Sequence, residues 1–257
     1  MTASFDVRDF RDPADTESLR PSDYPSQLCR VCDINRETSL CSRLTKDEFT
    51  RVLSMRDQFQ FPPLHAIFRE GDKAGHVYAL TSGSVKLYKL LSDGRRQIVG
   101  FLFPGDVFGL ANSLGYPYSA ETLNQASACR FPQRMLGGQT REVAPMLERR
   151  MFDLAVRELM RAHEQMLWLG RKTALERLAS FLASLARRAT ERGLPESPVA
   201  LPMSRSDIAD FLGLTIETVS RTFTHLKKLS VIVIPDNSHV VLNNLPLLSK
   251  LAEGGGD

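Results

Sequence analysis

Residues 64–131 reverse direction at short, regular intervals, and that rhythm excludes most folds. Glu70-Gly71-Asp72, Ser82-Gly83, Asp93-Gly94 and Pro104-Gly105-Asp106 set glycine beside proline or polar residues, the chemistry of tight turns that need positive φ. Between them stand short runs rich in apolar residues, at 64–68, 77–80, 85–88, 97–101 and 122–131. Short strands so closely punctuated close into a barrel or roll rather than a parallel sheet.

The texture changes at Pro145. Ala155, Leu159, Ala162, Met166 and Leu169 recur at alternating steps of four and three, the seam of a coiled coil. Such a face can pack on its own barrel. The small Ala155 and Ala162 suit close approach of a second helix, so a homodimer seam is the favoured expectation. A second helix, from about 173 to 192, carries Leu175, Leu178, Ala179, Leu182, Leu185 and Ala186 on one face, and Gly193-Leu194-Pro195 ends it.

The last fifty residues hold a denser signal. Ser204 followed by Asp207 is a capping box with aspartate in the glutamate place, opening a helix over 205–212 with Ile208, Phe211 and Leu212 turned inward. Gly213 permits a sharp turn. Thr215 then caps a helix to about 229, with Ile216, Val219, Phe223 and Leu226 expected to face the core. Glu217, Ser220 and Arg221 form a separate stripe near its start, the end that enters the major groove in helix-turn-helix docking. Arg221 can donate twice to guanine, Glu217 can accept from cytosine N4, and Ser220 adapts. The same stripe could instead be a solvated face with an intrahelical Glu217–Arg221 ion pair. The capped helix, the glycine turn and a following hairpin at 231–234 and 239–242 favour the DNA reader, in a winged unit.

These residues resemble the CRP/FNR superfamily of transcription regulators. The resemblance is carried by Ser204-Arg205-Ser206-Asp207-Ile208-Ala209 and by Leu212-Gly213-Leu214-Thr215-Ile216-Glu217-Thr218-Val219-Ser220-Arg221. Gly83-Ser84-Val85-Lys86-Leu87, Pro104-Gly105-Asp106-Val107-Phe108-Gly109 and Glu176-Arg177-Leu178-Ala179 extend it over nearly all of the chain after residue 28. It implies an α+β fold: an N-terminal double-stranded β-helix (a cyclic-nucleotide-binding-like β-roll), a long dimerisation helix and a C-terminal winged helix-turn-helix. The expected division is a mobile extension at 1–28, a sensory domain at 29–144, the dimerisation helix at 145–170 and the DNA-binding domain at 171–257.

Cyclic-nucleotide members of the superfamily hold the ribose with a Phe-Gly-Glu turn and the phosphate with a later Arg-Ser-Ala. Here these are Phe108-Gly109-Leu110 and Tyr118-Ser119-Ala120. A buried phosphate without its arginine is uncompensated by several kcal/mol, so nucleotide sensing is not expected.

Cys29-x2-Cys32-x8-Cys41 and the distant Cys129 are all four cysteines of the chain. By spacing alone, four thiolates suit a [4Fe-4S] cluster and structural zinc equally, and Cys129 could be an inert barrel residue. The Glu217-x-x-Ser220-Arg221 signature resembles the FNR branch, whose members bind a cluster through three N-terminal cysteines and a fourth in the barrel. The resemblance therefore implies a cluster on Cys29, Cys32, Cys41 and Cys129, with zinc or thiol redox as the alternative. The interval before Cys41 is longer than in the best-known member, which alters the loop and not the ligand count. FixK-type members lack the N-terminal group. The resemblance further implies oxygen sensing, TTGAT-like half-sites on double-stranded DNA and recruitment of RNA polymerase.

A net charge of +3 permits an anionic partner without requiring one. No run reaches the ~18 apolar residues of a spanning helix, and the first twenty residues lack a signal-peptide core. A cytoplasmic location with reduced thiols is expected. His65, His76, His163, His225 and His239 are scattered, and no nucleophile–base pair or phosphate loop is evident, so an enzyme is not expected.

Overall fold

The computed structural model describes residues 40–41, 44–111, 115–133 and 145–255. The expected 1–28 extension, Cys29 and Cys32 lie outside the described residues. No helix among those described is long and apolar enough to cross a membrane.

The turn-punctuated region forms a β-roll. Its strands are β1 (Asp57–Phe61), β2 (Ala66–Phe68), β3 (His76–Ser82), β4 (Val85–Leu90), β5 (Arg96–Leu102), β6 (Val107–Phe108), β7 (Ser119–Thr122) and β8 (Ala126–Pro132). They make two antiparallel four-stranded sheets, ordered β1-β8-β3-β6 and β2-β7-β4-β5. Gly83 shows why the turns are fixed. Its φ is +77°, and a Cβ there would lie 2.3 Å from the Gln125 carbonyl oxygen. Strand alternation sends Ala126 and Ala128 of β8 into the roll and Cys129 and Phe131 to its outer side.

Helix α1 (Lys46–Ser54) lies on that outer side, started by a reciprocal capping box between Thr45 and Glu48. Phe49 and Val52 of α1 pack with Cys129 and Phe131, together with Leu147, Met151 and Leu154 of the long helix α2 (Pro145–Arg171).

After α2 come α3 (Ala174–Glu191), capped by Thr173 and Glu176, and the DNA-binding unit. That unit contains β9 (Val199–Ala200), α4 (Arg205–Leu212), α5 (Ile216–Lys228), β10 (Ile232–Asp236), β11 (His239–Leu242) and α6 (Leu245–Ala252). The hairpin gains β9 as a third strand, in the order β10-β11-β9. Sequence periodicity missed β1, which lies before the turn-punctuated region, and β6 and β9, because two residues carry no period to read.

One apolar core runs from the roll into this unit, joining Ile98, Phe101 and Phe103 to Trp168, Phe181 and Phe211. The Phe101 and Phe211 rings stand 5.1 Å apart by centroid. Lys86 of β4 reaches Asp207 of α4 at 3.1 Å and Glu121 of β7 at 2.9 Å, and Arg96 of β5 reaches Asp207 and Asp210 at 2.9 and 2.7 Å. The turn after β5 is fastened too. The Asp106 carboxylate accepts from the Phe103 amide at 2.8 Å, from Arg161 of α2 at 3.0 Å and from Arg188 of α3. Burial alone would raise the Asp106 pKa, but Arg188 and Arg161 outweigh it and hold the carboxyl below its usual range.

Gly213 sits at φ +61°, closing α4 in the left-handed region. A Cβ there would approach Leu169 Cδ2 to 3.1 Å and Arg177 Nη1 to 3.5 Å. Gly213→Ala is expected to cost about 1–2 kcal/mol from the left-handed backbone alone, read as a lower thermal midpoint. An unchanged midpoint would show that the turn relaxes freely.

Candidate DNA interface and thiol site

Helix α5 presents the reader stripe because its other face is committed to the core. Val219, Phe223 and Leu226 are buried, and Arg205 of α4 lies 3.4 Å over the Phe223 ring. Ile216 departs from the inward set and is 47% exposed. It occupies the first helical position after Thr215, and that end of α5 projects beyond the core.

Glu217, Ser220 and Arg221 are all exposed. The Glu217 carboxyl is held below its usual range by its own backbone N–H, by the Thr215 hydroxyl and, more weakly, by Arg221. It is therefore an ionised acceptor. Ser220 and Arg221 also border a shallow depression with Thr224, His225 and Lys228. Thr224 and His225 continue the stripe by one turn and Lys228 by a second; sequence reasoning did not single them out, although three- and four-residue steps from Ser220 and Arg221 lead to them. Arg177 braces the assembly. It donates to Leu212 O at 2.8 Å and to Leu169 O at 2.9 Å, tying the end of α2 to the end of α4.

The interior of the roll is packed with aromatic rings. Phe68 stacks on Tyr116 at 3.8 Å, and Tyr78 on Phe108 at 5.2 Å. Tyr118, standing where cyclic-nucleotide members carry arginine, accepts from the Gly109 amide at 3.3 Å, and burial pushes its phenol up to about 12. It supplies a neutral hydroxyl in place of a cation.

On the outer side of the roll, Cys129 is 7% exposed and Cys41 is half-buried, and both belong to the apolar cluster beneath α1 and α2. Arg56 Nη1 donates to Cys129 Sγ at 3.4 Å. Among the described residues no three metal-ligating side chains converge, and Cys29 and Cys32 fall outside them.

Helix α2 carries an unpartnered apolar face. Ala155, Leu159, Ala162 and Met166 are exposed, whereas Leu169 is half-buried beside Gly213. Sequence reasoning overlooked Phe152, 69% exposed, and Val156. Phe152, Val156, Leu159, His163 and Met166 also step by four and three, and the signal was blurred by His163 in the middle of the run.

Residues 58–138 match the cyclic nucleotide-binding domain family, and 176–251 match the Crp-like helix-turn-helix domain family. The transcriptional activatory protein AadR of Rhodopseudomonas palustris is 41% identical, over 85% of this chain and 93% of its own. The nitrogen fixation regulation protein FixK of Bradyrhizobium diazoefficiens is also 41% identical, over 80% of this chain and 86% of its own. The solved structure of FixK2 from Bradyrhizobium japonicum superposes with a TM-score of 0.70 at 38% identity, covering 76% of this chain and 96% of that one. A β-roll fused to an exposed reader helix, with these relatives, defines a DNA-binding transcription regulator and not an enzyme. The chain belongs to the CRP/FNR family.

Proposed function

We propose that the protein is a homodimeric regulator of anaerobic or microaerobic genes that senses oxygen through a [4Fe-4S] cluster on Cys29, Cys32, Cys41 and Cys129. One observation carries the reading. Cys41 and Cys129 share their apolar cluster with Leu147, Met151 and Leu154 of α2, and the opposite face of that helix exposes Phe152, Val156 and Leu159. The sensory thiols and the candidate dimer seam are thus two sides of one helix.

The donors suit the group. Cys129 is a buried thiol facing a guanidinium, Cys41 stands in the same apolar cluster, and soft sulfur in such surroundings is what iron–sulfur ligation uses. When bound, the cluster would supply the oxygen-labile link between the N-terminal cysteines and the roll. FixK proteins share the fold and similar identity, so the reading rests on the cysteine set rather than on likeness. In the active dimer, 145–170 brings two 171–257 units onto half-sites about 34 Å apart. TTGAT-like sequences and RNA polymerase complete the proposed partners.

The test is an absorbance spectrum with iron and sulfide assays on anaerobically purified protein, repeated with DNA binding after air. A band near ~400 nm that bleaches in air as DNA affinity falls supports the reading. Zinc alone, or colourless protein that cannot be reconstituted, replaces it with a zinc or thiol-redox regulator on the same DNA-binding fold. Arg221→Lys separates readout from charge. It is expected to cost about 1–3 kcal/mol on the cognate site and little on non-specific DNA. Equal losses on both would reassign Arg221 to the phosphate backbone.

A further inference from the structure

The geometry points to Arg56 as the residue that donates to the Cys129 sulfur when that sulfur is a cluster ligand, and so sets how readily the cluster is oxidised. This rests on the cluster reading above and adds to it a residue that no ligand pattern includes.

Arg56 leaves the end of α1, its amide bonded back to Leu53 O at 3.4 Å. Asp57, the next residue, begins β1, and Gln58 pairs directly with Cys129 across the β1–β8 ladder. The donor is therefore two residues from the rung that holds its acceptor. Phe49 and Val52 of α1 pack into the same cluster as the thiol, which fixes the helix from which Arg56 extends. The neighbouring Arg130 is committed elsewhere, 2.7 Å from Asp57 and over the Phe59 ring. The 3.4 Å contact is thus fixed from both sides.

A neutral thiol is a weak acceptor. A guanidinium therefore gains little from a thiol in that state. The arrangement becomes favourable when the sulfur carries negative charge, since charge-assisted hydrogen bonds are about twice as strong as neutral ones. A metal-bound thiolate meets that condition. A donor on a ligating sulfur withdraws density from the iron–sulfur bond and raises the reduction potential. With Arg56 present, the cluster gives up an electron less readily.

Wild type, Arg56→Met and Arg56→Lys would be reconstituted anaerobically. Each is then followed by iron content, by the terminal iron–cysteine stretch in resonance Raman, and by bleaching rate at fixed oxygen. Arg56→Met is expected to shift the stretch upward and to bleach ~10-fold faster, the low end for outer-shell partners of metal sites. Arg56→Lys should return both part of the way.

Full loading of Arg56→Met with unchanged stretch and rate would overturn the assignment and leave the cluster reading intact. Equal loss of loading in both variants would also overturn it, placing Arg56 as packing for the end of α1. Loss in Arg56→Met alone supports it. A wild type that takes up no iron overturns the cluster reading and this assignment together.

Discussion

Leu159→Glu is expected to leave the protein monomeric and to weaken its hold on a palindromic site by 100-fold or more, roughly the avidity that linking two half-site contacts provides. Leu159 is 55% exposed at the middle of the apolar face of α2. A carboxylate there costs the free chain almost nothing, because the position already meets water. In a dimer it would face its own copy across the seam, where like charges repel and lose hydration together. Sedimentation and binding to one versus two half-sites separate the effects. Binding to a single half-site should be unaltered, since α5 lies on another unit. A dimer that survives the substitution would move the interface off this face.

Lys86→Met is expected to destabilise the fold by about 3 kcal/mol, the usual consequence of removing one member of a buried ion pair. The Lys86 and Asp207 side chains are 5% and 7% exposed. Glu121, 22% exposed, would lose the Lys86 ammonium, while Asp207 would keep Arg96. Asp207 also closes the capping box of α4, accepting from the Ser204 amide at 3.0 Å and hydroxyl at 2.7 Å. The loss therefore reaches the first helix of the DNA-binding unit directly. Chemical denaturation measures it, and a double-mutant cycle with Asp207→Asn isolates the pair. A change under half a kcal/mol would show that water replaces the lysine.

Features whose cause is local were legible in the sequence. The caps at Ser204 and Thr215 appear where Ser or Thr precedes a helical run, and Gly213 breaks the chain because its backbone is left-handed. The exposure of Glu217, Ser220 and Arg221 together was legible for the same reason, being a matter of spacing on one helix. What escaped depends on partners distant in sequence. Arg56 and Cys129 are 73 residues apart, and Lys86 and Asp207 are 121 apart. No spacing rule joins them; only the β1–β8 ladder and the docking of α4 on the roll do. Phe152 and Val156 escaped for a similar reason. Two overlapping stripes on α2 have the right period, and the packing of Leu147, Met151 and Leu154 leaves most of both exposed.

Helix α2 also has a mechanical side. Between Leu147, at the thiols, and Trp168, in the core shared with Phe211, there is neither proline nor glycine. That span is about 30 Å of unbroken hydrogen-bonded backbone. Such a rod resists bending and twisting, so a displacement imposed at one end arrives at the other as translation or roll. A signal received at the thiols would not have to deform the roll to be felt at α5. It would have only to turn the shaft.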